Sequence, residues 1–387
     1  MRPDPVYLDH AATTPVREEV FEAMKPFFGT RFGNPSSTHR WGREARAALD
    51  EARERVGLCL GARPDEICFT SGGTEGDNLA ILGVWRHARS TGRNAIVTTP
   101  IEHKAILGAV HQAAAEGAEE RFLTVDSCGV IVDDSYDRLV SEDVAICSVM
   151  WVNNEIGTIQ DLPELATRAK NRGVVVHTDA VQAFGKVGID AGSQDFDLLS
   201  ISGHKIGAPK GIGALFIRRG TALQPLMHGG SQDRGRRPGT ENVAYAVALA
   251  TAAELTLAEC AEECERLRKM RDRLEAGIVQ RVPDAVVHAR GATRAPHLLN
   301  ISVPGTDSES MLMALDLKGI AASGGSACQS GSIAPSHVLE AIGVRADLAT
   351  AAIRMSIGAL TTDDCIDRVI ETFPALVQKA RQLTPAG

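Results

Sequence analysis

The sequence predicts an α/β fold: a mostly parallel sheet with helices on both faces, followed by a smaller α+β unit. Two observations predict it. Short runs rich in Val and Ile alternate with stretches of helical period, the pattern of successive strand–helix units. At five of these runs, the residues able to do chemistry stand just past the carboxyl end, the edge where open α/β sheets bind ligands. The length of 387 residues exceeds what one small core organises and leaves room for a second domain.

Taken in order, Glu66 to Thr70 leads into Ser71-Gly72-Gly73-Thr74-Glu75 and then a helix through Leu82. A Gly-rich turn entering a helix can offer backbone N–H groups and a hydroxyl to an anion, although many such turns only permit tight geometry. Ala95 to Thr99 leads into Pro100-Ile101-Glu102-His103, and Ala145 to Val152 ends at Asn153-Asn154. Val174 to Thr178 ends at Asp179 with Gln182 just beyond, and Leu198 to Ile201 ends at Ser202-Gly203-His204-Lys205. An Ala-rich amphipathic helix follows Asn242. After it the sequence predicts a strand near Leu298 to Val303, a helix from Ser308 to Lys318, a strand about Arg354, and a last helix capped at Thr361-Thr362-Asp363.

A lysine at a strand tip beside a buried sheet can be partly desolvated, which suits it to bonding an aldehyde; a solvated loop lysine is the alternative. Asp179 alone could be a helix cap or a metal ligand. Beside a lysine it is also what keeps the ring nitrogen of a pyridine-type cofactor protonated. With Thr74, Ser202 and His204 around a phosphate, the set describes a site for pyridoxal phosphate. His103 would then lay a flat imidazole over the ring, and Asn154 and Gln182 would offer donors to its oxygen. No G-x-G-x-x-G opens a helix and no G-x-x-x-x-G-K-[ST] loop occurs, which argues against nicotinamide and nucleoside triphosphate ligands.

An apolar fraction of 44% argues against disorder, and a net charge of -8 without basic runs argues against nucleic acid or an anionic membrane as partner. The N-terminal MRPDPVYLDHAATTP lacks the apolar stretch of a signal peptide, and no later run is expected to be of membrane length; the expectation is a soluble, cytoplasmic protein. Of eight cysteines, Cys68 and Cys147 lie in strand-like runs and read as core, while Cys260 and Cys264 share a helix face with no further ligands nearby to complete a zinc set. Cys328 differs. Its segment, Ser323 to Ser332, holds three glycines and four serines, and a thiolate there would be a strong nucleophile; a loop cysteine without a role is the alternative.

These residues fall within an ordered set of motifs: YLDHAATTP, GNPSSTH from Gly33, TSGGTEGDN from Thr70, EH at Glu102-His103, VNNEIGTIQ from Val152, HTDAVQAFGK from His177, SISGHKIGAPKGIGALF from Ser200, RRPGTENV from Arg236 and SGGSACQSGS from Ser323. Through them the chain resembles, over essentially its whole length, the cysteine desulfurases of the NifS/IscS type. Those are class-V aminotransferase family members among the fold-type I pyridoxal phosphate enzymes. The resemblance implies a seven-stranded, mostly parallel sheet in a large domain (16–260), a small domain (261–387) carrying the loop 323–332, and an N-terminal arm (1–15) packed on it.

The resemblance also implies the roles. Lys205 would bond the cofactor aldehyde, Asp179 pair with the ring nitrogen, and His103 stack on the ring and help move protons. Asn154 and Gln182 would hold the phenolic oxygen, and Gly73, Thr74, Ser202 and His204 the phosphate, with Gly203 also among the cofactor-binding residues and Thr240 reaching the phosphate of the partner in a homodimer. Arg354, with Asn154 beside it, would clamp the carboxylate of L-cysteine. Cys328 would take the sulfur as a persulfide, leaving L-alanine, and pass it to an iron–sulfur scaffold or a tRNA-thiolation protein. No resident metal is implied, with Cys328 a candidate transient ligand to a cluster in transit. His228, Gln329 and His10 depart from the commonest pattern without removing a proposed catalytic group. A selenocysteine lyase or aminotransferase of the same fold, and a non-catalytic sulfur-transfer scaffold, are the competing readings.

Overall fold

The computed structural model describes residues 5–324 and 335–383, so Cys328 and all but the first two residues of its predicted loop lie outside the described part. Thirteen strands are present among the described residues. They are β1 (Val6–Tyr7), β2 (Ile67–Thr70), β3 (Ala95–Thr98), β4 (Glu119–Phe122), β5 (Val144–Ser148), β6 (Val175–Asp179), β7 (Leu198–Ser202), β8 (Gly213–Ile217), β9 (Val286–Val287), β10 (Leu298–Ser302), β11 (Ile320–Ala321), β12 (Ser323–Gly324) and β13 (Ala352–Ser356).

Seven of them form the main sheet, in the order β2-β8-β7-β6-β5-β3-β4. Pairing is parallel from β7 through β6, β5 and β3 to β4, and β8 alone runs against its neighbours β2 and β7. Every residue of β5, β7 and β8 is buried, which is why these runs read as continuous apolar stretches rather than alternating ones.

The strand limits differ from the expected ones for local reasons. Glu66 belongs to a short 3-10 turn, where its carboxylate accepts from the Arg63 N–H at 3.0 Å, so β2 starts one residue later. The run Ala145 to Val152 leaves regular strand geometry after Ser148. Val149 and Trp151 still donate to the carbonyls of His177 and Asp179, each at 3.1 Å. Asp179 is the last residue of β6 rather than the first beyond it.

Helix Gly73–Ala88 packs across β5, β7 and β8. A Cβ on Gly76 would stand 2.9 Å from the Ser200 hydroxyl, so a side chain here would hold the helix off the sheet. The long helix Val243–Arg281 buries Ala246, Ala248 and Leu249 in the core under the main sheet. Its second half buries Leu267, Leu274 and Ile278 in a separate core. By length and composition this helix could span a membrane, against the expectation that no run would; its apolar half is instead core of the main domain.

The second core lies under an antiparallel sheet, β12-β13-β10-β9, closed by helices Ser308–Leu317 and Asp363–Leu383. The N-terminal arm joins both parts. β1 pairs in parallel with β11, and a few residues on Thr14 donates its N–H to the His204 carbonyl at 2.9 Å.

Candidate active site

A cavity of about 320 Å³ opens at the carboxyl ends of the main-sheet strands, where five separate runs deliver side chains to one place. From β2 come Gly73 and Thr74, the first residues of helix Gly73–Ala88, whose N-terminus favours an anion. Ser202 and His204, past β7, line the same end. The His204 Nδ1 lies 3.1 Å from the Thr13 hydroxyl, and burial lowers its pKa to about 4, so the ring is neutral.

The middle of the cavity is acidic, with Asp77 and Asp179 both buried. Asp179 accepts a hydrogen bond from the Val181 N–H at 2.8 Å. Burial pushes its carboxyl up while His103, that N–H and Lys205 hold it down. Asp77, Asp179 and His103 bring ligand atoms within 4.8 Å of one another, and Asp77 Oδ1 is buried without a hydrogen-bond partner among the described residues, with the His177 Nε2 3.7 Å away. Such a group calls for a cation, and a protonated pyridine nitrogen is one that the rest of the cavity suits. His103 caps the helix Lys104–Ala115, its Nδ1 accepting from the Ala105 N–H at 3.2 Å; the lone pair is therefore on Nδ1 and the proton of the neutral ring on Nε2.

The other wall holds the charges. Lys205 donates from Nζ to the carbonyls of Ala11 and Ala12, at 2.5 and 2.8 Å, so the arm positions it. Gln182 donates to the same Ala11 carbonyl at 2.9 Å. Arg354, on β13, is only 3% exposed, so it is no surface arginine. It donates to the Asn154 carbonyl at 3.0 Å and to Asp9 at 2.9 Å, and its buried Nε has no partner among the described residues. A guanidinium fixed on two sides with its Nε–H unspent suits a small carboxylate.

Of the residues singled out from sequence, Gly73, Thr74, His103, Asn154, Asp179, Gln182, Ser202, His204, Lys205 and Arg354 line this cavity. Gly203 does not. A Cβ there would meet Ile212 and Ala208 at 2.9 and 3.0 Å, so its smallness serves packing of the turn. Thr240 is exposed and borders a different hollow, with Asp233 and Arg237. Cys328 lies outside the described residues. Cys68 and Cys147 are buried in the core as expected, and the thiols of Cys260 and Cys264 stand 4.0 Å apart on one helix face.

Sequence reading missed Asp77, Glu155 and His337, which also line the cavity. Asp77 had a signal, standing one helical turn after Thr74. Glu155 stood in the VNNEIGTIQ motif just past Asn154, whereas His337 had no signal, and the contacts of both are tertiary: the Ser336 hydroxyl donates to the buried Glu155 carboxylate, and His337 Nε2 to the Glu102 carbonyl at 2.9 Å. Burial raises Glu155 to about 7.

The family model for aminotransferase class-V matches residues 6–369. The chain belongs to the class-V aminotransferase family. Within it, the chain is 44% identical over 380 residues to the cysteine desulfurase IscS of Dictyoglomus turgidum, covering 98% of this chain and 96% of that one. It is 45% identical over 381 residues to the cysteine desulfurase NifS of Azotobacter vinelandii, covering 98% and 94%. These relatives place this class-V member on the cysteine desulfurase branch. Among solved structures, a NifS-like protein superposes with a TM-score of 0.88 at 35% identity, over 98% of this chain and 99% of that one. SspA, solved in complex with cysteine, does so with a TM-score of 0.81 at 32% identity, over 91% and 98%. Class-V members of this branch depend on pyridoxal phosphate. The cavity fits that cofactor: a helix N-terminus with hydroxyls for the phosphate, buried carboxyls for the ring nitrogen, and a lysine for the aldehyde.

Proposed function

We propose that this class-V enzyme converts L-cysteine to L-alanine and passes the sulfur through Cys328 to an acceptor protein. The observation that carries the reading is the gathering of Lys205, Asp179, His103 and Arg354 in one cavity from four separate strands. When bound, pyridoxal phosphate supplies an electron sink for charge developing at the substrate Cα. The protein does the rest. Arg354 holds the substrate carboxylate through Nε–H and so orients Cα toward Lys205, whose amine takes the Cα proton. Asp179 keeps the cofactor's ring nitrogen protonated, and His103, carrying its proton on Nε2, can deliver it. The substrate C–S bond then breaks, the Cys328 thiolate accepts the sulfur as a persulfide, and the three-carbon remainder takes up protons and leaves as alanine.

The role of Cys328 rests on its motif. It is tested by measuring alanine and protein-bound persulfide from L-cysteine with the Cys328→Ala variant, which should lose the persulfide and slow alanine release at least about 100-fold. Unchanged alanine output would refute the assignment, and selenocysteine turnover that survives the change would favour the selenocysteine lyase reading. The names of the IscS and NifS relatives favour iron–sulfur assembly as the destination, with tRNA thiolation the other acceptor class.

The exposure of Thr240, away from its own cavity, supports a homodimer in which it serves the partner's phosphate. Mixed dimers of Lys205→Ala and Thr240→Ala chains check this. If Thr240 acts across the interface, one of the two sites is fully wild type and binds cofactor at wild-type affinity; if it acts within its own chain, no site does.

A further inference from the structure

His297 stands just ahead of β10 and is buried, with its Nε2 3.2 Å from Gln182 Oε1. The other end of the same amide lies 2.9 Å from the Ala11 carbonyl. A carbonyl only accepts, so the end facing Ala11 is the NH2, and the end facing His297 is the oxygen. That oxygen only accepts in its turn, so the imidazole proton must sit on Nε2. Nδ1 keeps its lone pair, in agreement with its being a buried atom without a hydrogen-bond partner among the described residues, and burial keeps the ring uncharged.

The three groups thus have one consistent assignment, and it fixes which way the amide faces. Gln182 is a wall between two cavities: the one described above, which Ala11 also lines, and one of about 570 Å³ behind it, which His297 lines. The NH2 is on the cofactor side. It has two N–H bonds, one of which goes to Ala11 and the other of which is available to a ligand. Rotating the amide by half a turn would put its oxygen there and leave His297 Nε2–H facing an NH2, donor against donor.

We propose that His297 is a positioning residue that locks the Gln182 amide with its N–H toward the cofactor's phenolic oxygen. The inference rests on the reading that Gln182 serves that oxygen. A donor at a phenolate stabilises its charge and weakens its hold on the neighbouring proton, so losing the donor raises the pH at which the cofactor's visible absorption changes.

The test is a pH titration of the holoenzyme's visible spectrum for wild type, His297→Phe, His297→Gln and Gln182→Leu. His297→Phe should raise the midpoint by about one pH unit, and Gln182→Leu should raise it at least as far. His297→Gln, whose amide nitrogen can reach the Nε2 position, should bring it back, which loss of packing alone would not allow. The double variant should move no further than Gln182→Leu, because the two residues act in series. In the apoenzyme, nitrogen-15 NMR of labelled histidine should find the His297 proton on Nε2 between pH 6 and 8. A midpoint that moves in Gln182→Leu but not in His297→Phe overturns the role of His297 and leaves the Gln182 reading standing. If neither moves, that reading falls and this one with it. A proton found on Nδ1 also overturns the proposal.

Discussion

Glu102 shows what a single buried carboxyl costs and offers in this molecule. Its Oε1 accepts from the Thr99 hydroxyl at 2.7 Å and the Met150 N–H at 2.9 Å, tying the ends of β3 and β5 together, while Oε2 is buried without a hydrogen-bond partner among the described residues. Burial pushes its pKa up to about 8. An unfolded glutamate titrates near about 4.3. Between those values the native state keeps a proton that the unfolded chain has lost, so this residue's contribution to stability falls as pH rises through the window and levels off above it. Glu102→Gln keeps the accepting oxygen and cannot ionise. Its melting temperature should match wild type near the acid end of the window and exceed it increasingly toward the alkaline end, as scanning calorimetry would read. A constant difference across that range would show that Glu102 is ionised in the native state. At this scale the sequence was readable where a residue stood at a strand tip, as Lys205 and Asp179 do. The contacts of Glu155 and His337 were unreadable because their partners lie 181 and 235 positions away.

At the scale of elements, the reversed strand β8 is what shapes the phosphate end of the cavity. It returns directly from β7 and inserts between β7 and β2, so Gly213 faces Thr70 on one side and Ser202 on the other. A Cβ at Gly213 would stand 2.5 Å from the Ile201 carbonyl and 2.8 Å from Gly72 Cα, both backbone atoms that cannot step aside. Gly213→Ala should therefore destabilise the fold by about 1–3 kcal/mol in urea unfolding. Because the displaced backbone carries Gly72 and Ser202, it should also weaken cofactor binding in an apoenzyme titration. Stability lost with unchanged cofactor affinity would show that the strain is absorbed elsewhere. The alternating pattern of runs and helices predicted the parallel strands. Whether β8 paired by a crossover or by direct return depended on a neighbour, β2, more than a hundred residues upstream.

At the scale of the whole molecule, the N-terminal arm is the piece that couples the two cores to the site. Asp9 holds Arg354, Ala11 and Ala12 receive Lys205, and the Ala11 N–H donates to the Ser356 hydroxyl at 2.8 Å. Deleting residues 2–9 removes the β1–β11 pairing and the carboxylate on Arg354 while sparing the carbonyls that receive Lys205. The expected result is a lower melting temperature and a KM for cysteine raised about tenfold, with a smaller change in kcat, since orientation of the carboxylate clamp is what is lost. A fall in kcat at unchanged KM would place the arm's contribution on Lys205 instead.

The sequence by itself determined the alternation of strands and helices, the strand tips that carry the chemistry and, through its motifs, the cofactor class, because these are local patterns of period and composition. Only the tertiary structure decided that Arg354 is buried against Asp9, that Gly203 packs against Ile212 and Ala208, and that one helix serves two cores. It alone also set the Gln182 amide between Ala11 and His297. Each of these depends on groups far apart along the chain meeting away from water, where an unpaired polar atom is costly and so each donor and acceptor is constrained by its neighbours.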